Sequence, residues 1–168
     1  IRDHAGISPI RHVVYGFDDH MTSGVECCEL LVAHGADVNQ VDVDSFGRSG
    51  QTPLISAVSV QDIVLIQWML EHGAEVNKKT PGGHTALHEA CNRRCDEDVE
   101  LKIINALLAC SADVDARDES GRSPADLYRE YNRRSFSEDF PQNRSEQGGQ
   151  DCPSPALSDT SGVPIMES

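Results

Sequence analysis

Apolar side chains recur at helical spacing in several separate stretches of the chain, most clearly in VLIQWMLEHG at residues 64–73. Apolar residues three and four positions apart lie on one face of an α-helix. Thr or Ser stands before such a stretch four times and is a favoured helix N-cap, while proline, which needs no N–H there, occupies the next position three times. The N-cap positions are Ser8, Thr52, Thr85 and Ser123, and the prolines are Pro9, Pro53 and Pro124. The pattern therefore predicts an all-α chain built from pairs of helices.

The helical stretches belong to a repeated unit. The strings HGADVN, HGAEVN and CSADVD end at Asn39, Asn77 and Asp115, at a regular spacing of 38 residues. Between them a second string recurs as GISPI, GQTPL, GHTAL and GRSPA, which begin at Gly6, Gly50, Gly83 and Gly121. Recurrence at a fixed period indicates a repeat architecture in which neighbouring units bury a continuous core.

Each unit is predicted to end in a left-handed turn. Gly35 and Gly73 follow the second apolar stretch of units one and two, where a glycine closes a helix without a Cβ penalty. Ser111 takes the same position in unit three. We therefore expect mild backbone strain at Ser111.

The G-x-T-P-L-H and L-L-x-x-G-A-D-V-N strings, in register over residues 3–133, resemble the ankyrin repeat, whose period is about 33 residues. The resemblance implies an ankyrin-repeat α-solenoid of helix-turn-helix units joined by hairpin loops. We predict an ankyrin domain over residues 1–134, which divides into repeats at about 3–39, 47–77 and 80–115 and a partial capping repeat at 118–134. Because the chain starts inside a repeat, we also expect it to be a fragment with at least one further repeat upstream.

Three insertions interrupt the regular spacing. Two lie between the helices of units one and three, near residues 15–24 and 92–100, and a third lies in the hairpin at 41–50. Insertions in repeat proteins map to exposed loops, and such loops often bind partners. We expect them to contribute to specificity.

Composition narrows the possible partners and compartment. The formal net charge of −14 repels the phosphates of nucleic acids, and no apolar run reaches the ~20 residues of a membrane span. We therefore expect no direct nucleic-acid or membrane partner. The six cysteines lack the density of a disulfide framework, which predicts reduced thiols in an intracellular protein. We expect a monomer in the cytoplasm or the nucleus.

Residues 135–168 form a separate segment rich in Ser, Pro, Gly, Gln and acidic residues. Such a composition predicts a disordered acidic tail, because it offers too little apolar surface to offset the ordering entropy. The tail resembles a PEST-type degradation segment, and Ser154 before Pro155 fits a proline-directed phosphorylation site. An inert solvated tail is the alternative.

One group of side chains could carry chemistry. His88, Cys91 and Cys95 have spacings that place them on one helical face, and a zinc site would need four such ligands. The ankyrin resemblance implies instead that His88 bonds to the hydroxyl of Thr85 and that Cys91 packs in a small apolar position. Trp68 is expected in the core. We therefore predict no metal, no cofactor and no enzymatic activity.

The resemblance implies that partners contact the hairpin tips and the concave face formed by the first helices. Carried onto this chain, those positions give the candidate partner-binding residues Tyr15, Arg48, Ser59, Lys79, Asn92, Arg93, Arg94, Arg129 and Arg133. The arginines could bind an acidic or phosphorylated peptide by forked hydrogen bonds. Alternatively, they pair with Glu89, Asp96 or Glu130.

These features predict a scaffold or adaptor for protein–protein interaction. Two alternatives remain open: an inhibitor resembling the ankyrin inhibitors of Rel-type transcription factors, and a substrate adaptor of a ubiquitin ligase.

Overall fold

The computed structural model describes residues 8–16, 24–42, 50–92 and 97–132, and within these ranges the chain is helical. Each helix pair consists of a first and a second helix. The first helices are α1 (Pro9–Gly16), α3 (Pro53–Val60), α5 (Ala86–Cys91) and α7 (Pro124–Asn132). The second helices are α2 (Gly24–Ala33), α4 (Ile63–Glu71) and α6 (Glu97–Ala109).

The helices pack in two layers. Along the first layer α1 contacts α3, α3 contacts α5, and α5 contacts α7; along the second layer α2 contacts α4 and α4 contacts α6. The two helices of each pair also contact each other. This arrangement is the α-solenoid predicted from the repeated strings.

The predicted N-caps start the first helices. The Thr52 hydroxyl accepts a hydrogen bond from the backbone N–H of Ile55 at 3.2 Å, and Pro53 follows at the first helical position. In the next repeat Thr85 and His88 form a reciprocal capping box. These bonds satisfy backbone donors that have no partner within the helix.

The turns that close the second helices are also as predicted. Gly35 and Gly73 have φ angles of 85° and 81°, and Ser111 adopts the same left-handed conformation at 62°. A non-glycine residue in this region carries strain, which confirms the expectation for Ser111. Gln61 has a φ of 62° between α3 and α4, a left-handed residue that the sequence analysis did not single out.

Asparagine side chains tie successive repeats together. Asn39 donates to the carbonyl oxygen of Gly73 at 2.9 Å and accepts from the backbone N–H of Glu75 at 2.7 Å. Asn77 repeats both contacts one unit later, with Ser111 and Asp113. Asp115 holds the equivalent position in the third repeat, and its carboxylate has no amide hydrogen to donate.

The core between the layers is aliphatic, with Trp68 as its largest side chain. Trp68 is only 6% exposed, which confirms the prediction, and its ring stacks on His72 with a centroid separation of 4.1 Å. The buried Nε1 of Trp68 has no hydrogen-bond partner. Burial of the ring is therefore driven by apolar contact rather than by a polar bond.

The connections between paired helices are longer in the first and third repeats than in the second. In the second repeat, residues 61–62 alone separate α3 from α4, whereas residues 17–23 separate α1 from α2 and residues 92–96 separate α5 from α6. The hairpin at 43–49 and the segment at 133–168 lie outside the described residues, and so do the predictions made for them.

One prediction about the cysteines is wrong. Cys110, directly after α6, is disulfide-bonded. Cys27, Cys28 and Cys91 are free thiols. The spacing of the cysteines along the chain does not show which of them form a disulfide.

Candidate protein-binding surface

The first helices leave only part of their surface accessible. Most of α3 is buried, from Pro53 through Val58, and side chains become accessible near its carboxyl end at Ser59 and Val60. Val60 is 41% exposed, and Tyr15, near the carboxyl end of the neighbouring α1, is 52% exposed. An accessible aromatic and an accessible aliphatic side chain therefore lie on adjacent helices of the same layer.

Tyr15 is oriented by its own helix. The guanidinium carbon of Arg11 lies 5.4 Å from the centre of the Tyr15 ring, which is within cation–π range. The Nε of Arg11 is 3.9 Å from a carboxylate oxygen of the buried Asp42. Asp42 also accepts from the backbone N–H of Ser8, so it joins the start of α1 to the hairpin.

A hydrogen bond joins the second and third repeats on this layer. The Ser59 hydroxyl donates to a carboxylate oxygen of Glu89 at 2.7 Å, and both side chains are partly buried. Asn92, one residue after α5, is the C-cap of that helix and is also partly buried. The accessible side chains along this layer thus include both apolar and hydrogen-bonding groups.

The hairpin tips pack closely against each other. Lys79 donates through its ammonium group to the carbonyl oxygen of Arg117 at 3.2 Å, and the backbone N–H of Glu119 donates to the carbonyl oxygen of Gly82 at 3.1 Å. Gly83 has a φ of 78°, and a Cβ there would lie 2.9 Å from a backbone atom of the next hairpin. Neighbouring tips are therefore held at a fixed spacing.

A buried carboxylate organises the last hairpin. The Asp118 side chain, 1% exposed, accepts from the backbone N–H of Arg122 at 2.8 Å and lies 3.3 Å from Nε2 of His84. Burial alone would raise the pKa of Asp118, but hydrogen bonds from the backbone of Arg122 and Ser120 and the charge of the Arg122 guanidinium lower it. Asp118 is therefore ionised and fixes the hairpin that leads into α7.

His88 links the third helix pair to the same hairpin. Its Nδ1 accepts from the backbone N–H of Thr85 at 3.1 Å and lies 2.9 Å from the Thr85 hydroxyl, and its Nε2 lies 3.2 Å from the carbonyl oxygen of Arg122. The neutral tautomer with hydrogen on Nε2 satisfies both neighbours. Burial lowers the pKa of His88, although the Arg122 carbonyl opposes this effect. The predicted bond to Thr85 is confirmed, and the bond to Arg122 extends it across a repeat boundary.

These bonds predict a pH-dependent stability. Because the folded-state pKa of His88 lies below its ordinary value of 6.5, the unfolded chain binds more protons, and stability is lost as the pH falls below 6.5. We expect the free energy of unfolding, measured with urea at several pH values, to decrease from pH 7 towards pH 5. The His88→Gln variant should show a shallower decrease, whereas the exposed control His34→Gln should follow the wild type. An unchanged pH slope in His88→Gln would contradict this role.

The described residues offer little for catalysis. Within residues 8–16, 24–42, 50–92 and 97–132, no group of three or more His, Cys, Asp or Glu side chains is placed to hold a metal ion. Cys91 is fully buried, and burial raises its pKa, so the thiolate is disfavoured. Burial also raises the pKa of Cys28 to about 11. No helix in the described parts of the chain is long and apolar enough to cross a membrane.

The geometry of paired helices, hairpins and asparagine links agrees with the comparison to known families. The family model described as ankyrin repeats in three copies matches residues 20–124, which is more than half of the chain. The chain belongs to the ankyrin-repeat family.

Several ankyrin-repeat proteins are similar in sequence. The B-cell lymphoma 3 protein homologue of Mus musculus is 33% identical over 113 residues, which cover 67% of this chain and 22% of that protein. The human ankyrin repeat domain-containing protein 63 is 36% identical over 86 residues, which cover 49% of this chain and 21% of that protein. The chain spans about a fifth of the length of these relatives.

A solved structure shares the fold. The crystal structure of the ankyrin repeat domain of Bcl-3, described as a unique member of the IkappaB protein family, matches with a TM-score of 0.59 and 28% identity. The match covers 73% of this chain and 47% of that chain.

The ankyrin stack separates the predicted binding residues into groups. Tyr15, Ser59 and Asn92 lie at or next to the carboxyl ends of successive first helices, while Lys79 lies in a hairpin. Arg129 lies on α7, is exposed, and is 3.5 Å from a carboxylate oxygen of Asp126. The remaining predicted residues, Arg48, Arg93, Arg94, Arg133 and the phosphorylation candidate Ser154, lie outside the described residues.

Sequence reasoning missed Arg122 as an organising residue. Its guanidinium contacts Asp118 at 3.2 Å and lies 3.7 Å from Glu130, and its carbonyl oxygen lies opposite His88. The i,i+4 spacing of Asp118 and Arg122 is a visible signal for the first contact. The contact with His88 spans 34 residues and has no local signature.

Proposed function

We propose that this chain is a protein-interaction scaffold that binds a segment of another protein along the carboxyl ends of its first helices and the adjacent hairpin tips. The observation that carries the proposal is the exposure of Tyr15 and Val60 on neighbouring first helices, 52% and 41%, in a layer whose other apolar side chains are largely buried. Exposed aromatic side chains with apolar neighbours are typical anchors of protein interfaces.

The polar groups beside this apolar pair suit a peptide with hydrogen-bonding backbone. Ser59, Glu89 and Asn92 lie in the same layer and are partly buried, and the hydrogen bond between Ser59 and Glu89 fixes those two side chains before a partner arrives. Fixed groups lose little entropy on binding. Arg129 carries a positive charge at the far end of this layer, and Arg93, Arg94 and Arg133 are further arginines of the sequence. In this proposal the partner segment therefore has a complementary acidic or phosphorylated end.

The proposal is tested by quantitative affinity capture from cell extract. We expect the double variant Tyr15→Ala with Val60→Ala to lose at least about tenfold of the main captured protein, equivalent to 1.4 kcal/mol. The matched control is Val64→Ala on α4, since Val64 is 64% exposed and apolar but belongs to the second-helix layer. Equal loss in both variants, or in neither, would contradict the proposed surface.

A second set of variants tests the charge of the partner. Changing Arg93, Arg129 and Arg133 to Glu should release a partner that has an acidic or phosphorylated segment, and phosphatase treatment of the extract separates the two cases. Retention of the partner by the triple variant would show that the arginines are not part of the surface.

A regulator of a transcription factor is the second candidate. It is compatible with the similarity to Bcl-3, which the solved structure describes as a member of the IkappaB protein family, and with the acidic, Ser- and Pro-rich sequence of residues 135–168 after the repeats. The same capture experiment separates the candidates. A transcription factor as the main prey supports regulation, whereas subunits of a ubiquitin ligase support the adaptor alternative.

A further inference from the structure

One row of side chains runs along the candidate surface from helix to helix. Counted from the first residue of each first helix, the seventh position lies at or just after the end of that helix's buried part. The seventh positions hold Tyr15, Ser59, Asn92 and Glu130, which we call the seventh-position row. Tyr15 and Glu130 are exposed, whereas Ser59 and Asn92 are partly buried. The row therefore presents one accessible side chain per repeat.

Helix packing sets the spacing of this row. The first helices contact one another in the order α1, α3, α5 and α7, and the axes of packed helices lie about 8–10 Å apart. The 2.7 Å bond from the Ser59 hydroxyl to Glu89 shows that side chains of successive first helices meet at this level. A partner that crosses the row therefore meets an equivalent position about every 8–10 Å.

Few backbone conformations match this spacing. A polyproline II helix rises about 3.1 Å per residue with three residues per turn, so the same face recurs about every 9 Å. A β-strand presents the same face every two residues, or about 7 Å, and loses register within one repeat. An α-helix comes close, because seven of its residues span about 10.5 Å. Spacing alone thus leaves polyproline II and the α-helix.

The chemistry of the row distinguishes these two conformations. The Ser59 oxygen, whose proton is donated to Glu89, can accept from a backbone N–H, and the Asn92 amide can both donate and accept. An α-helix uses its backbone groups internally, whereas polyproline II has no internal hydrogen bonds. Tyr15 adds an aromatic ring, and aromatic-lined grooves are typical of polyproline II recognition. The row therefore favours polyproline II.

Charge gives the bound segment a direction. The apolar pair Tyr15 and Val60 lies on α1 and α3, while Arg129, on α7, is exposed and positively charged. The neighbouring Glu130 lies 3.7 Å from Arg122, which offsets its negative charge. Three helix spacings separate α1 from α7, and this distance corresponds to about nine residues of polyproline II. An acidic residue about nine positions from an apolar one therefore complements both ends of the surface.

Building on the proposed function, on which this inference rests, we propose that the partner segment is a proline-rich stretch of about ten residues in the polyproline II conformation. Every third side chain of the segment lies on the seventh-position row. An apolar residue contacts Tyr15 and Val60, and an acidic or phosphorylated residue lies towards Arg129. The conformation, length and residue spacing of the partner segment are thus specified.

A peptide library tests the residue spacing. The probe is a phage library of fully randomised peptides of about 12 residues, long enough to cross the four first helices, selected on the 168-residue chain. We expect the enriched peptides to be proline-rich, with apolar residues three positions apart and an acidic residue about nine positions from the first of them. Selection on Tyr15→Ala with Val60→Ala should lose these peptides, whereas selection on the control Val64→Ala should retain them.

The other outcomes separate this proposal from the proposed function. Peptides that alternate apolar and polar residues would indicate a bound strand, and apolar residues three and four positions apart would indicate a bound helix. Either pattern, if lost in the double variant, would overturn polyproline II recognition while supporting the surface. Peptides that bind the double variant and the wild type equally would contradict the surface itself. The absence of any enriched class would also overturn the proposal.

Proline and glycine scans of the best enriched peptide provide the second measurement, read as Kd by fluorescence anisotropy. Proline at the positions that do not face the row should leave Kd within about twofold, because polyproline II accommodates it. Glycine at the same positions should weaken binding at least about threefold, because a more flexible peptide loses more entropy on binding. If proline weakens binding as much as glycine or more, the bound segment is not polyproline II and the proposal is overturned.

Discussion

Replacing Gly83 with alanine should strongly destabilise the last hairpin. A Cβ at this position would lie 2.9 Å from Cα of Asp118 and 3.0 Å from the backbone nitrogen of Glu119, so rigid backbone must move. The left-handed φ of 78° adds about 1–2 kcal/mol for a non-glycine residue, and overpacking adds about 1–3 kcal/mol. We therefore expect Gly83→Ala to lower the free energy of unfolding by about 2–5 kcal/mol in urea titrations.

Gly121 provides the matched control for this variant. Its φ of 75° is nearly the same as that of Gly83, but a Cβ there would meet nothing within 4 Å. Gly121→Ala should therefore cost only the conformational part, about 1–2 kcal/mol. Equal losses in the two variants would show that the close approach of the hairpins contributes nothing.

Truncating Met69 to alanine, in the centre of the stack, should lower the free energy of unfolding by a similar amount. Met69 is 0% exposed on α4, and removing a buried side chain of this size costs about 2–5 kcal/mol through lost apolar burial and the remaining cavity. The equivalent residue of the first repeat, Leu31, is only partly buried. We expect Leu31→Ala to cost clearly less in the 168-residue chain when both are compared by thermal and urea unfolding. A larger loss at Leu31 would contradict the difference in burial between the repeats.

The parts of the fold that depend on local sequence could be predicted in detail. Thr85 caps its helix and contacts His88, and Ser111 adopts the left-handed conformation expected where a glycine usually stands. In each case the interacting groups are within a few residues of each other. The chemistry of caps and turns is therefore visible in the sequence.

Contacts between repeats could be predicted only in part. The repeat period indicates that equivalent positions stack, but it does not specify individual bonds such as Ser59 to Glu89 or His88 to Arg122, which join residues 30 and 34 positions apart. These contacts depend on how the repeats are spaced in three dimensions, which the linear pattern leaves undetermined.

The candidate surface could also be predicted only in part from the sequence. The position of Tyr15 and Ser59 along the first helices followed from the repeat pattern, but the exposure of Val60 on the helix next to that of Tyr15 required the packed structure. The pattern also gave no sign that Gln61, between α3 and α4, would adopt a left-handed conformation. A fixed turn there keeps Val60 at the end of its helix.

The position of Trp68 gives this chain a built-in optical reporter. It is the single tryptophan of the sequence, and it is buried in the middle repeat against the ring of His72. Its fluorescence emission therefore reports the integrity of the second repeat, whereas far-ultraviolet circular dichroism reports all the helices together. Because the contacts of a stacked repeat protein are made mainly between neighbours, the two signals can separate during denaturation, and their difference shows whether the ends of the stack fray before its centre.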